Sequence, residues 1–225
     1  MTSDHTTVGL DAEALAARVA GDLQDGWYVN LGLGLPALVG AHVPADREVV
    51  LHTENGLLGI GGIASAGEED PDLCDASKHY TTLRPGASAF DSATSFALIR
   101  SGRLDCAVLG ALQVSGGGDL ANWYVPGGHP GVGGAMDLAV GAQRIWVVMR
   151  HLDRDGRSKI VTACDYPLTG RAVVDRIYTD LAVFQLSGGR LTLVELAPGV
   201  DAETVASHTD AEFDTALTPT TEDHR

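Results

Sequence analysis

The sequence predicts an α/β fold in which helices pack on a mixed sheet, parallel in its first part and antiparallel toward the C-terminus. Helical apolar stripes and short β-branched runs share the first half of the chain, whereas strand runs joined by two-residue turn signals dominate the second half. The 28 glycines cluster where the predicted strands end, which is where α/β folds place ligands.

The first predicted element is a helix that begins after Asp11, a good N-cap residue. Its apolar residues Leu15, Val19 and Leu23 are four positions apart, so they share one face. Gly26 follows and is expected to end the helix as a left-handed C-terminal residue.

Short apolar strands and a second helix come next. Asp91 is expected to cap a helix that runs through Phe96 and Ile99 and stops at Gly102. The strands predicted in this part are 27–31, 48–53, 104–109 and 144–149.

Two hairpins are predicted in the second half, each on a two-residue turn signal. Asp155 and Gly156 separate the strand ending at Met149 from the run 159–163. Gly188 and Gly189 do the same between the runs 182–186 and 191–195.

Length and composition bound the class of protein. A chain of 225 residues fits one domain, which we place at 11–214, between polar tails at 1–10 and 215–225 that are expected to be frayed. The formal net charge of −15 would repel a phosphate backbone or an anionic membrane surface. We therefore expect neither a nucleic-acid partner nor a membrane partner.

Three widely spaced cysteines do not form a disulfide framework, which is consistent with a reducing compartment. The first residues have no basic and apolar signal segment, and no apolar run approaches the length of a membrane span. We expect a soluble cytoplasmic protein.

Several familiar motifs are weak or missing. The run 59–64 matches G-x-G-x-x-A, but the acidic, helix-breaking residues 67–71 follow, where a dinucleotide site needs a helix N-terminus. There is no P-loop, and the eight histidines have no metal-binding spacing. Cys164 is expected to be a buried structural thiol, and Ser115 lacks a nucleophile elbow.

Glu54 is the carboxylate that the residues themselves single out. It follows an apolar strand and precedes Asn55 and Gly56, so partial desolvation would make it more nucleophilic or basic than in water. A solvated loop carboxylate is an equally good interpretation. The glycine-rich runs 32–34 and 131–134 could offer oxyanion-binding amides or could simply form tight turns.

Seven ordered segments carry a resemblance to a known family. They are YVNLGLGLP (28–36), HTENGLLGIG (52–61), PGASAFDS (85–92), GDLANW (118–123), GVGGAMDL (131–138), CDYPLTG (164–170) and TDLAVF (179–184). Together they resemble the B (beta) subunit of the family I CoA-transferases, the 3-oxoacid and 3-oxoadipate CoA-transferase group, from about residue 11 to 214. The resemblance implies the layered α/β/α fold of that family, which some sugar-phosphate isomerases share.

The resemblance also implies site residues. Glu54 matches the nucleophilic glutamate of the family's Ser-Glu-Asn-Gly signature, and Asn30 is expected in the active site. Lys78 is similar to the family lysine near CoA, with Asn55 and Gly56 also expected at the CoA. The backbone of Gly133, Gly134 and Ala135 would lie against the reacting carbonyl. Thr53 in place of serine and Gly62 in place of proline depart from the family pattern and leave substrate positioning open.

The implied activity is ping-pong transfer of CoA from a donor such as succinyl-CoA to acetoacetate or 3-oxoadipate. CoA would be a substrate and a covalent intermediate on Glu54, with no permanent cofactor and no metal. A separate A (alpha) subunit is expected in a hetero-oligomer, commonly A2B2. An acyl-CoA hydrolase of the same fold and a non-catalytic chain that completes a partner's site are the alternatives.

Overall fold

A computed structural model describes residues 9–76, 78–129 and 131–217 of the chain. Within these residues the helices are α1 (Ala12–Ala20), α2 (Leu35–Leu38), α3 (Ser92–Arg100), α4 (Ala135–Gly141) and α5 (Ala202–Ser207), with a 3-10 turn at Val39–His42. The strands are β1 (Tyr28–Leu31), β2 (Val50–Thr53), β3 (Leu57–Ile63), β4 (Thr81–Ala89), β5 (Cys106–Leu109), β6 (Gln113–Ser115), β7 (Leu120–Ala121), β8 (Ile145–Val148), β9 (Ile160–Val161), β10 (Arg176–Tyr178), β11 (Ala182–Ser187), β12 (Arg190–Leu196) and β13 (Asp214–Thr215).

A large mixed sheet forms the centre of the molecule, in the order β13-β12-β11-β10-β8-β5-β1-β2-β3-β4. The middle strands β2, β1, β5, β8 and β10 are parallel, and antiparallel strands flank them on both sides. A small second sheet has the order β7-β6-β9. The predicted α/β class with a mixed, mostly parallel sheet is confirmed.

Two hydrophobic clusters cover the two faces of the large sheet. In β5, Cys106 and Val108 belong to the cluster that contains α1, whereas Ala107 and Leu109 belong to the cluster that contains α3 and α4. This alternation follows from the two-residue period of a strand. The sheet is therefore buried on both faces, which gives the layered arrangement expected.

Helix α1 begins where predicted, because the Asp11 carboxylate accepts a hydrogen bond from Ala14 N at 2.8 Å. It ends at Ala20, earlier than the predicted stop at Gly26. Gly26 has φ 77° in the turn that leads into β1, and Leu23 is fully buried but lies outside the helix. The apolar spacing therefore predicted correctly that Leu23 is buried, but predicted incorrectly that the helix extends to it.

Helix α3 agrees with the prediction at both ends. Asp91 accepts from Thr94 N at 2.7 Å, and Gly102 follows the helix with φ 72°. The predicted late hairpin is also confirmed, since β11 and β12 pair antiparallel across Gly188 and Gly189.

The hairpin predicted around Asp155 and Gly156 forms only as a short antiparallel bridge and does not include the predicted strands. Leu152 and Ser158 form an antiparallel bridge across the turn, and Gly156 N is bonded to Asp153 O at 3.2 Å, but the strand β8 before it pairs with β5 and β10. Strand β9 instead pairs with β6 in the small sheet. A turn signal reports local backbone geometry, and it does not report which strands pair beyond the turn.

An early antiparallel pair, β3 with β4, was not predicted. It extends directly from the end of β2 and contains the G-x-G-x-x-A run at 59–64, most of which is strand. The helix that a dinucleotide site requires is therefore replaced by a strand at this position.

The predicted tails lie only partly within the described residues. Leu10 N donates to Asp180 O at 2.8 Å, and Ala216 N donates to Leu193 O at 2.8 Å. Residues 1–8 and 218–225 lie outside the described residues. Leu10 and Ala216, just outside the predicted domain of 11–214, are thus hydrogen-bonded to the rest of the fold, and the fraying of the tails stays a prediction.

Candidate active site

The carboxyl ends of β2, β1 and β5 meet at one edge of the sheet and open into a cavity of about 350 Å³. Ligand sites of parallel α/β sheets lie at this edge. The lining residues are mainly apolar or glycine: Asn30, Leu31, Gly32, Leu33, Glu54, Ala76, Leu109, Gly110, Ala111, Leu112, Asn122, Gly131, Val132, Gly133, Gly134, Ala135 and Leu138.

Glu54 lies in the wall of this cavity, immediately after β2. Its side chain is half-buried, and desolvation raises the pKa of the carboxyl group above its ordinary value. The backbone N–H of Gly134 opposes this shift, and the negative charge of Asp137 adds to it. Glu54 is therefore the partly desolvated carboxylate, and not the fully solvated one, of the two interpretations that the sequence left open.

Gly134 approaches Glu54 so closely that no side chain fits between them. A Cβ atom at Gly134 would overlap Glu54 Oε2 and would lie 3.0 Å from Glu54 Cδ and 3.3 Å from Phe96 Cζ. The backbone φ of Gly134 is −83°, so the need for glycine is one of space and not of conformation. The glycine lets a backbone amide come within reach of the carboxylate.

The neighbours of Gly134 differ from it. Gly133 has φ 48°, and a Cβ there would lie 3.7 Å from Glu54 Oε1. The N–H of Ala135 donates to Val132 O at 3.1 Å, so it is already part of a turn. Of the three predicted residues, Gly134 comes nearest to Glu54, and its backbone N–H acts to lower the pKa of the Glu54 carboxyl group.

Asn30 is in the cavity wall, and its amide nitrogen is directed to His52. Asn30 and His52 are direct partners in the parallel pairing of β1 with β2, and both are almost completely buried. Asn30 Nδ2 lies 3.0 Å from His52 Nδ1 and 3.2 Å from His52 O. The amide N–H groups of Asn30 are therefore both directed to His52.

His52 continues this chain of hydrogen bonds. Its Nε2 lies 3.0 Å from Ser95 Oγ on α3, and Ser95 Oγ lies 3.5 Å from Thr53 O. Burial lowers the pKa of His52 to about 4, so the ring is neutral at pH 7.

Asn55 is exposed and does not line the cavity; it holds the segment that does. Thr53 Oγ1 donates to Asn55 Oδ1 at 2.5 Å, and Asn55 Nδ2 donates to Cys74 O at 2.7 Å. Ala76, two residues further on, reaches the cavity wall. Lys78 is exposed in the same turn, with φ 67°.

Gly56 has a structural task beside Glu54. Its φ is 114°, and a Cβ there would overlap the backbone oxygen of Phe90. Phe90 N donates to Gly56 O at 2.9 Å, which ties the start of β3 to the end of β4. None of Gly56, Asn55 and Lys78 therefore belongs to the described wall of the cavity.

Loss of the Asn55 amide should loosen the turn that contains Ala76 and Lys78. We expect Asn55→Ala to speed hydrogen exchange of the Lys78, His79 and Thr81 amides about 3- to 10-fold, the effect of one net hydrogen bond. Thr53→Ser keeps the hydroxyl and serves as the matched control, with unchanged exchange. Equal exchange in Asn55→Ala and in the unsubstituted chain would show that this bond does not hold the turn.

Several wall or supporting residues escaped sequence reasoning, among them His52, Ala76, Gly110 and Asn122. Gly110 follows β5 and could have been found, because β5 was predicted to end just before it. Asn122 donates to Gly110 O at 3.0 Å and accepts from Thr169 Oγ1 at 2.6 Å. These contacts join segments far apart in the chain, so spacing alone does not reveal them.

The Cys164 thiol is not a favourable nucleophile. Burial raises the pKa of the Cys164 thiol to about 11, which disfavours a thiolate. Within residues 9–76, 78–129 and 131–217, no group of three His, Cys, Asp or Glu side chains is placed to hold a metal ion. The helices of this part of the chain are all too short or too polar to span a membrane.

The chain is similar to known coenzyme A transferases over most of its length. The family model for coenzyme A transferase matches residues 12–208. The chain is 53% identical over 197 residues to the B subunit of 3-oxoadipate CoA-transferase from Pseudomonas putida, covering 87% of this chain and 92% of that one. It is 48% identical to the B subunit of succinyl-CoA:3-ketoacid coenzyme A transferase from Helicobacter pylori, covering 91% and 99%.

Solved structures agree on the fold. An acyl-CoA transferase from Escherichia coli matches with a TM-score of 0.72 at 21% identity over 94% of this chain. This chain spans only 44% of that longer chain. Glutaconate coenzyme A-transferase from Acidaminococcus fermentans matches with a TM-score of 0.63 at 18% identity, over 94% of this chain and 90% of the other. Because the family model matches residues 12–208 and relatives at 48–53% identity are aligned with most of the chain, this chain belongs to the coenzyme A transferase family.

Proposed function

We propose that this chain is the B (beta) half of a two-subunit CoA-transferase in which Glu54 is the covalent carrier of CoA. The donor is succinyl-CoA and the acceptor is a 3-oxo acid, either acetoacetate or 3-oxoadipate. CoA is a substrate and a transient covalent intermediate, not a resident cofactor.

The position of Glu54 is the observation that carries this proposal. It is a half-buried carboxylate in the wall of a mainly apolar cavity, with a raised pKa and a backbone N–H beside it. A partly desolvated carboxylate is a better nucleophile than a hydrated one. An N–H donor close to it can stabilise the oxyanion that forms when an acyl group is attacked.

The first half-reaction moves CoA onto the enzyme in two acyl transfers. A Glu54 oxygen attacks the thioester carbonyl of the donor, the C–S bond breaks, and an acyl-glutamyl anhydride and CoA thiolate result. The thiolate then attacks the glutamyl carbonyl of the anhydride. The donor acid leaves as a carboxylate, and Glu54 is left as a thioester of CoA.

The second half-reaction runs these steps in reverse with the acceptor carboxylate. Each nucleophile is already an anion, so no general base is needed to remove a proton. Each tetrahedral intermediate does need hydrogen-bond donors, and loss of one such donor typically costs about 3 kcal/mol. We propose the backbone N–H of Gly134 as one such donor, because it acts on the Glu54 carboxyl group and lowers its pKa.

A separate A subunit completes the enzyme, in a hetero-oligomer such as A2B2. Relatives of similar length from Pseudomonas putida and Helicobacter pylori are named as B subunits, which implies a second kind of chain in each of those enzymes. Among the described wall residues of the cavity there is no lysine or arginine. The free carboxylate of a succinyl group would therefore need a cation from the A subunit or from the surroundings of the cavity.

The ping-pong route makes a specific prediction about exchange. With the A subunit present and no acceptor, the enzyme should transfer label from ¹⁴C-succinate into succinyl-CoA, because the first half-reaction is reversible by itself. Acetoacetate, 3-oxoadipate and acetate, each tested as acceptor, then identify the second substrate. Transfer to an acceptor without any succinate exchange would contradict the covalent route, and acid-independent release of CoA would indicate a hydrolase.

A further inference from the structure

The buried polar chain behind Glu54 has a direction, and that direction determines what the cavity wall presents. His52 O is a carbonyl oxygen and can only accept, so the Asn30 atom 3.2 Å from it must be the donating Nδ2. The same Nδ2 lies 3.0 Å from His52 Nδ1, which must then be the unprotonated, accepting nitrogen. The ring proton is consequently on Nε2, which donates to Ser95 Oγ.

Ser95 closes the chain next to the nucleophile. Its hydroxyl accepts from His52 and is left to donate to Thr53 O, the carbonyl that directly precedes Glu54. The three side chains come from β1, β2 and α3, and all are at most 2% exposed. The His52 ring also stacks on Phe90, with 6.4 Å between ring centroids and 19° between planes. The ring therefore has little freedom to turn.

The orientation of the Asn30 amide follows from this arrangement. With both N–H groups directed to His52, the side-chain atom left for a ligand is Oδ1, which has no hydrogen-bond partner among the described residues. Asn30 belongs to the cavity wall. It would thus present an acceptor, which attracts an N–H or O–H group and repels an oxyanion.

We infer that His52 is a positioning residue, which acts through Asn30 by holding the amide oxygen toward the substrate and leaves oxyanion binding to the Gly134 amide. This inference rests on the proposed function for its effect on turnover, but its hydrogen-bond arrangement can be tested separately. The neutral state of His52, favoured by burial, is the state that the arrangement requires.

A double-mutant cycle separates this task from a merely structural one. In the enzyme assembled with its A subunit, His52→Leu should slow formation of the CoA adduct about tenfold or more, as loss of a group that orients a ligand does at metal sites. In an Asn30→Ala background the same substitution should have no further effect. His52→Gln, which keeps an acceptor and a donor, should restore most of the rate.

Equal slowing by His52→Leu in both backgrounds would overturn the inference and indicate a packing role. A wild-type enzyme that forms no adduct would instead contradict the proposed function. Long-range ¹H–¹⁵N spectra of the assembled enzyme, with labelled histidine in this chain only, provide a readout that does not depend on activity. Signals assigned by their loss in His52→Gln should show a protonated Nε2 and a bare Nδ1 at pH 7, and the opposite tautomer would overturn the inference.

Discussion

Glu54→Gln is expected to abolish CoA transfer, with a loss on the order of 10⁴-fold or more in kcat, as when the covalent nucleophile of other enzymes is removed. Glutamine keeps the size of the side chain and cannot form the anhydride. Glu54→Asp keeps the carboxylate but withdraws it by one methylene group, so we expect a smaller loss of about 100-fold. Initial rates of the assembled enzyme measure both.

The control for Glu54 is Glu68→Gln, at an exposed loop position, which should retain full activity. A Glu54→Gln enzyme with more than a few per cent of normal turnover would contradict a nucleophilic role. Such a result would favour a chain that only completes its partner's site.

Glu54→Gln should also stabilise the protein at neutral pH. Because the folded state raises the pKa of Glu54, the folded chain binds this proton more tightly than the unfolded chain. The stability that the Glu54 carboxyl group contributes is present below its pKa in the unfolded chain. It is lost as the pH rises through its pKa in the folded chain. A neutral glutamine avoids that loss, so Tm at pH 7 should increase slightly, while Tm at low pH should change little. Activity and stability therefore oppose each other at this residue.

Gly134→Ala is expected to reduce transfer about 100-fold while leaving the fold intact. Its Cβ would occupy the space of Glu54 Oε2, so the carboxylate must move by about an ångström, and displacements of that size at a reacting group typically cost two orders of magnitude. Its backbone conformation accepts alanine without strain, and the residue precedes a helix. Adduct formation and thermal unfolding should both be measured, since only adduct formation is expected to change strongly.

Gly117→Ala is the control for this prediction. Gly117 is exposed, is not part of the cavity wall, and a Cβ there would lie at an ordinary 3.8 Å from Ser115 Oγ, so alanine should be tolerated with nearly normal transfer. Equal activities of the two variants would show that the close approach of Gly134 to Glu54 is not needed for the reaction.

Much of the fold could be predicted because its signals are local. The side chain of Asp11 and that of Asp91 each bond a backbone N–H three residues on, and such caps are readable from sequence. The pairing of β9 with β6 and the antiparallel strand β4 could not be predicted, because they depend on contacts between distant segments. The same limit explains why Asp155 and Gly156 predicted the turn and its short antiparallel bridge correctly, but the partners of β8 and β9 incorrectly.

The candidate site, too, could be predicted from the sequence only in part. Glu54 and the glycine run at 131–134 were found from strand ends and from glycine clustering, and the structure brings them into contact. His52 was seen only as part of a strand, since nothing in its spacing from Asn30 indicates that β1 and β2 pair in register. The residues around Glu54 fit a solvated loop carboxylate as well as a carboxylate in a site. Its burial and the approach of Gly134 are properties of the folded chain.

The most direct test of Glu54 as the CoA carrier is the intact mass of this chain. After incubation of the assembled enzyme with succinyl-CoA and no acceptor, the chain should gain the mass of one CoA as a thioester. The adduct should map to the peptide that contains Glu54, should disappear on addition of the acceptor acid, and should be absent from Glu54→Ala. A fully active wild-type enzyme whose chain stays unmodified, or an adduct that persists in Glu54→Ala, would contradict the account.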